Sequence, residues 1–117
     1  TEPFGNVTIL PPEINVSERV LAPFVSADGL TLLFASLPPV TRARRSLDLY
    51  FATRAKPTDP FGPARRFANV INSPQEDNGP SLSPDGQTLF FHSYRAGGYG
   101  QADLYQSRRL NLSPATP

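Results

Sequence analysis

Alternation of apolar and polar residues is the dominant pattern along this chain. It is clearest in TLLFAS at residues 31–36, DLYFAT at residues 48–53 and TLFFHS at residues 88–93. A period of two places successive side chains on opposite faces of a strand, whereas an amphipathic helix shows an apolar period of about 3.6 residues. No stretch combines the helical period with caps at both ends. The pattern therefore predicts an all-β fold.

Turn signals separate the predicted strands. The segment SPDG at residues 83–86 combines a proline that presets φ, Asp85, which can bond locally, and Gly86, which tolerates positive φ. It predicts a tight hairpin between a strand near residues 80–83 and a strand at residues 88–94. After the loop YRAGGYGQA a third strand is predicted at residues 102–109. A fourth type of strand is predicted within PFGPARRFANVI, residues 60–71.

The same order of signals occurs twice. An offset of 57 residues pairs Pro23 with Pro80, and it pairs PFG at residues 3–5 with PFG at residues 60–62. In the first copy the turn is SADG, with Asp28 and Gly29 in place of the later aspartate and glycine. Beyond residues 36 and 93 the loops differ by two residues, and then DLY occurs in both copies. We interpret the chain as a single unit, residues 1–117, of two repeats, about 1–57 and 58–117.

Composition narrows the classes of function. The 117 residues carry a net charge of +1 from 11 basic and 10 acidic side chains, so no global field favours nucleic acid as a partner. The chain has no cysteine, which excludes disulfides and thiolate metal sites. No apolar run approaches the roughly 20 residues that a membrane-spanning helix needs, so we expect no membrane insertion. The 14 prolines and 8 glycines, together with the alternating segments, indicate a β fold dense in turns.

A known family resembles this pattern. The stretch PSLSPDGQTLFFHSYRAGGYGQADLYQSRR, residues 80–109, resembles the WD-like β-propeller repeat of the TolB type, with its S-P-D-G turn, L-x-F strand and D-[LI]-Y strand. The resemblance implies four-stranded antiparallel blades, two in this chain, with strands A to D running outward from a central channel. In that frame the chain begins with an orphan D strand at residues 7–10 and stops after the C strand of its second blade.

An incomplete second blade exposes apolar faces and an open strand edge, which soluble proteins avoid. We therefore expect either that the chain is a piece of a longer propeller or that copies associate head to tail. In the second case each orphan D strand completes the last blade of a neighbour. Three chains would close six blades and four would close eight, so a homotrimer is the first expectation and a homotetramer the second.

Several residues have the right chemistry for a site but lack partners in the sequence. The single histidine, His92, lies within a strand and is assigned a structural role. Glu76 and Asp77 could in principle serve glycoside chemistry, but adjacent carboxylates in a polar loop are usually solvated.

Asp48 and Asp103, each before LY, are expected to cap a strand or to pair with loop arginines. The basic cluster of the first B to C loop, Arg42, Arg44 and Arg45, is interpreted as solvated. No metal site and no cofactor are predicted.

The loops of one propeller face form the candidate binding surface. The resemblance implies that NSPQEDNG, residues 72–79, lies beside YRAGGYG, residues 94–100. Tyrosine and arginine between flexible glycines are typical of recognition surfaces. The candidate ligand-binding residues are Tyr94, Arg95, Tyr99, Glu76, Asp77 and Asn78.

Two functions of different classes follow. The first is a non-enzymatic β-propeller scaffold that recognises a protein, peptide or glycan through this loop face. Relatives in the family often work outside the cytoplasm, so an extracytoplasmic location is expected. The alternative is a fragment of a larger propeller hydrolase acting on carbohydrate, whose acid and base would lie on other blades.

Overall fold

The fold consists of two antiparallel sheets. In a computed structural model of the chain, residues 3–38 and 46–110 are described, and they contain strands but no helix. The strands are β1 Val20–Val25, β2 Thr31–Ser36, β3 Asp48–Thr53, β4 Arg65–Arg66, β5 Asp77–Leu82, β6 Thr88–Ser93 and β7 Asp103–Arg108. The first sheet has the order β1-β2-β3-β4 and the second β5-β6-β7. The prediction of an all-β fold is confirmed.

The predicted strands agree with the structure to different degrees. Those at residues 88–94 and 102–109 match β6 and β7 to within one residue. The strand predicted at residues 80–83 begins earlier, because Asp77 already pairs with Ser93. Residues 7–10, expected as an orphan strand that pairs with a neighbouring copy, form no strand within the single chain, and Val7 and Ile9 are almost fully exposed, so the expected pairing stays a prediction. A strand forms only where another offers hydrogen bonds, and no described strand pairs with these residues.

The two hairpin turns repeat each other atom by atom. The Asp28 carboxylate accepts hydrogen bonds from Ser26 Oγ at 2.6 Å and from the Leu30 amide at 2.9 Å. Asp85 accepts the matching bonds from Ser83 Oγ at 2.7 Å and from the Gln87 amide at 3.0 Å. These hydrogen bonds, with the serine bond first, lower the pKa of both aspartates. The turns are therefore held by side chains as well as by the glycines.

The first strand of each sheet carries the same bulge. Pairing between β1 and β2 shifts between Leu21 and Phe24, and pairing between β5 and β6 shifts between Asn78 and Ser81. At the bulge the backbone is left-handed, with φ 63° at Gly79 and φ 59° at its repeat equivalent, Ala22. Because a Cβ disfavours this region, the first repeat has backbone strain that the second avoids.

An apolar layer joins the sheets. Leu33, Ala35 and Leu49 of the first sheet belong to one buried cluster with Leu89 and Phe91 of the second. The alternate residues of β2 and β3, among them Leu32 and Phe34, face away and pack with Ile14. Ile71 is the repeat equivalent of Ile14, and it lies in the cluster between the sheets with Leu89 and Phe91 of the second sheet. The segments around Ile14 and Ile71 therefore cover the equivalent faces of the first and the second sheet.

We expect Gly86→Val to lower the free energy of unfolding by about 1 kcal/mol or more, because valine resists the φ of 74° that the turn requires. Open space surrounds a Cβ at this position, and a Cβ at Gly29 would make only ordinary contacts with Pro57, so Gly29→Val should cost about the same. Urea denaturation of both variants measures the effect. Unchanged stability in either variant would contradict the backbone explanation.

The bulge offers a test of opposite sign. Ala22→Gly should raise the free energy of unfolding, by about 1 kcal/mol at most, because it removes the strain of a left-handed alanine. Gly79→Ala should lower it, since the new Cβ would also lie 3.1 Å from His92 Nδ1. Thermal and chemical denaturation of the pair would show whether the signs differ; two changes of the same sign would argue against the shared bulge geometry.

Candidate binding face

The loops before β5 and after β6 come together at one end of the second sheet. The Tyr94 amide donates to the Glu76 carbonyl at 3.0 Å, and Arg95 contacts Asp77 at 3.1 Å. The predicted adjacency of the two loops is confirmed. We use the term loop face for residues 72–78 and 94–100.

Asp77 lies at the base of the loop face and has no exposed surface. Its carboxylate accepts hydrogen bonds from the Ser73 amide at 2.8 Å, from Ser73 Oγ and from Arg95. The expectation that Asp77 is displayed to a ligand is wrong, because a carboxylate can be buried at the end of a strand once a cation and several donors surround it. Glu76 is half-buried, so the adjacent carboxylates do not form an accessible catalytic pair.

Arg95 is held on several sides. Its guanidinium donates to the Ile71 carbonyl and to Asp77, and its Nε donates to Ser93 Oγ at 3.0 Å. The guanidinium carbon also lies 5.3 Å from the centre of the Phe91 ring and 5.0 Å from that of Tyr105. About a quarter of the side chain, 25%, is exposed. Arg95 is therefore a fixed cation that shows one edge to solvent, and its role in ligand binding stays a prediction.

An open cleft of about 500 Å³ lies against this edge. It is lined by Asn69, Asn72, Ser73, Pro74, Arg95 and Ala96. The Asn72 amide is fixed, because its Oδ1 accepts from the Leu49 amide at 2.7 Å and its Nδ2 donates to the Leu49 carbonyl at 3.1 Å. The cleft thus has a polar wall whose main groups are already ordered by the fold.

The two tyrosines of the loop face are accessible. Tyr99 is fully exposed and Tyr94 is 43% exposed. Asn78 is half-buried, and its side chain accepts from the Gly79 amide and donates to Glu76. The accessible members of the predicted set are therefore Tyr94, Tyr99, part of Glu76 and one edge of Arg95.

The other candidates lie apart from the cleft or have structural contacts. Asp48 pairs with Arg66 of β4 at 2.9 Å, and Asp103 accepts from the Gly100 amide at 3.2 Å. The ring of His92 packs edge-on near Tyr94, with 6.4 Å between centroids. The predicted cluster of Arg42, Arg44 and Arg45 lies outside the described residues. Within residues 3–38 and 46–110, no group of acidic or histidine side chains has the arrangement of a metal site.

Burial also changes the pKa of one tyrosine in the first sheet. Burial raises the pKa of Tyr50, and the neighbouring Asp48 charge raises it further, against the opposing effect of Arg66. Tyr50 stacks on Phe34 in the first sheet, as Tyr105 stacks on Phe91 in the second. Among the described residues, Arg95 lies over the rings of the second pair and no arginine lies over the first pair.

Asn72 and Ser73 line the cleft, but they were not among the candidate binding residues chosen from the loop at residues 72–79. One signal was present: a serine ends β2 and another ends β6, Ser36 and Ser93, and both are fully buried. Each lies close to a second serine, Ser17 at 2.9 Å in the first repeat and Ser73 at 3.5 Å in the second. A buried serine at the same place in both repeats indicates that the repeats share a hydrogen-bonding position there.

Neither a scan against protein-family models nor a search of curated proteins finds a match to this chain. Residues 3–38 and 46–110 contain no helix that is long and apolar enough to cross a membrane.

We expect Arg95→Ala to lower the free energy of unfolding by about 2–4 kcal/mol, because it leaves the buried Asp77 carboxylate without its cation. Arg95→Lys should recover only part of the loss, since an ammonium group cannot keep both the ring contacts and the several hydrogen bonds. Chemical denaturation measures both. Arg108→Ala, at an exposed position of β7, is the matched control and should change stability by about 0.5 kcal/mol or less.

Proposed function

We propose that the chain is a non-enzymatic, propeller-type binding module that recognises a protein, peptide or glycan through its loop face. The observation that carries the proposal is the polar cleft beside Arg95, with the exposed rings of Tyr94 and Tyr99 on the same loop. Binding sites commonly combine a few fixed polar groups with aromatic surfaces that are already ordered.

The order of the cleft supports recognition. Asn72 and Arg95 are held by the backbone of the first sheet and by the segment that links the sheets, through the Leu49 amide and carbonyl and the Ile71 carbonyl. A ligand that bonds to them need not immobilise them, which lowers the entropic cost of binding. Tyr99, which is fully exposed between Gly98 and Gly100, provides the adaptable part of the surface.

Charge indicates the kind of ligand. The positive charge of Arg95 is balanced by the buried Asp77 carboxylate, so the cleft has a hydrogen-bond donor without a large net charge. Neutral polar groups such as sugar hydroxyls and peptide carbonyls suit such a donor, and a tyrosine ring can pack against a sugar face or an apolar side chain. The inaccessible Asp77 also supports a binding role over a catalytic one.

Binding to immobilised glycan and peptide arrays tests the proposal. We expect the double variant Tyr94→Ala/Tyr99→Ala to lose at least about tenfold in affinity for any probe that the wild type binds, because exposed aromatic anchors dominate such surfaces. Arg95 stays intact in this variant because its loss would disturb the fold.

The control is Gln87→Ala, an exposed position in the hairpin turn at the other end of the sheet, which should bind as the wild type does. Equal binding by the double variant and the wild type, or binding to none of the probes, would overturn the proposal.

A further inference from the structure

The second sheet has an edge that no described strand covers. In the first sheet β4 pairs with β3, through Arg65 with Phe51 and Arg66 with Tyr50. In the second sheet β7 pairs with β6 only, and within residues 3–38 and 46–110 nothing pairs with its other edge. An open edge presents unpaired backbone donors and acceptors that a further strand can use.

The segment of residues 3–10 is the repeat equivalent of the segment that covers β3. An offset of 57 places PFG at residues 3–5 over PFG at residues 60–62, and Asn15 over Asn72. The backbone confirms the match: the Ile14 and Asn15 amides both donate to the Pro11 carbonyl at 2.9 Å, as the amides of Ile71 and Asn72 do to Ala68 at 2.9 and 3.0 Å.

The side-chain contact of the asparagine is repeated as well. Asn15 Nδ2 donates to the Leu10 carbonyl at 2.8 Å, and Asn72 Nδ2 donates to the Phe67 carbonyl at 2.9 Å. The N-terminal segment thus has the turn that positions its counterpart, but it lies exposed, with Phe4, Val7 and Ile9 all at least 86% accessible.

We infer that residues 3–10 of one copy bind along the free edge of β7 in a second copy, as residues 60–67 bind along β3 within the chain. This surface is separate from the loop face and goes beyond the proposed ligand binding. The register of the proposed pairing follows from the repeat. Arg65 lies opposite Phe51 within the chain, so Thr8 is expected opposite Gln106. In the same way, Arg66 lies opposite Tyr50, so Ile9 is expected opposite Tyr105.

An arginine provides a specific contact for the arriving segment. Within the chain, Arg54 Nε donates to the Gly29 carbonyl at 2.8 Å, and its guanidinium lies 4.1 Å from the centre of the Phe61 ring. Its repeat equivalent Arg109 makes the same bond to the Gly86 carbonyl at 2.8 Å. The equivalent of Phe61 is Phe4, which is fully exposed in its own chain. Phe4 of the donating copy therefore stacks on Arg109 of the second copy, as Phe61 stacks on Arg54.

The sheet faces agree with this arrangement. On the outer face of the second sheet Phe90 and Leu104 are 44% and 88% exposed, and their repeat equivalents Leu33 and Leu49 are buried between the sheets. Strand donation brings this outer face of the second copy against the first sheet of the copy that donates residues 3–10. There an open groove of about 180 Å³ is lined in part by Leu10, Pro23 and Phe34. Apolar area on both surfaces is removed from water.

Mass in solution is the first test. At micromolar concentration light scattering should give a mass several times the 12.8 kDa of one chain, with three chains as the first expectation for a closed ring.

Phe4→Ala should raise the dissociation constant about 5- to 30-fold through loss of the arginine contact. Phe61→Ala, the matched intramolecular change, should lower thermal stability and leave the association constant within about twofold. A folded monomer for the wild type, or equal effects of the two changes on association, would overturn the inference.

Cross-linking tests the register, and the natural chain has no cysteine to interfere. When a Thr8→Cys chain is mixed with a Gln106→Cys chain and oxidised, a covalent heterodimer should form, because directly opposed strand residues meet disulfide geometry. A mixture of Thr8→Cys with Arg108→Cys, two positions out of register, should form at least about fivefold less. The double variant Thr8→Cys/Gln106→Cys should give intermolecular products; an internal disulfide in a monomer would show that the segment folds back on its own chain and would overturn the inference.

Discussion

Packing between the two sheets is the contact on which the rest of the structure depends. A three-stranded and a four-stranded sheet of strands no longer than six residues have little stability alone, and each needs its apolar face covered. Leu33 and Leu49 provide that cover for Leu89 and Phe91, and Ile71 enters the same cluster from the segment that joins the sheets. Because Ile71 is fixed there, its carbonyl is positioned to receive Arg95, and the loop face takes its shape from the core.

Arginines fasten the two ends of the sheets in different ways. At the hairpin end, Arg54 and Arg109 bind glycine carbonyls of the turns, where solvent is close and each bond contributes modestly. At the loop end, Arg95 compensates a carboxylate with no exposed surface. A buried ion pair adds little to the free energy of unfolding compared with an apolar pair of similar size, but removal of one partner is costly. The Arg95–Asp77 pair therefore favours the one arrangement of the loops in which both partners meet.

The parts of the fold that depend on contacts between residues near each other in the sequence could be predicted, and the parts that depend on distant residues could not. Alternation identified the well-paired strands, and the aspartate-glycine turns could be identified because their hydrogen bonds join residues no more than a few positions apart. The burial of Asp77 could not be read in this way, since it depends on Arg95, eighteen positions later, and on the core beneath. The strand expected at residues 7–10 had the right alternation, but strand formation needs a partner as well as a pattern. The left-handed conformation of Ala22 is imposed by sheet pairing against its own preference.

Differences between the repeats show what each edge can accept. On β3, Asp48 pairs with Arg66, so an ion pair reinforces the backbone ladder. The repeat equivalent of Asp48 is Asp103, and that of Arg66 is Ile9 in the N-terminal segment, so this ion pair cannot form on β7. Asp103 accepts a hydrogen bond from the Gly100 amide instead. The β7 edge therefore offers backbone hydrogen bonds, apolar contact and the Arg109 guanidinium, without a carboxylate committed to an incoming cation. Since a charged pair adds specificity as well as energy, we expect the proposed strand to be held there more weakly than β4 is held on β3. The proposed association would then be reversible, and would not extend the sheet permanently.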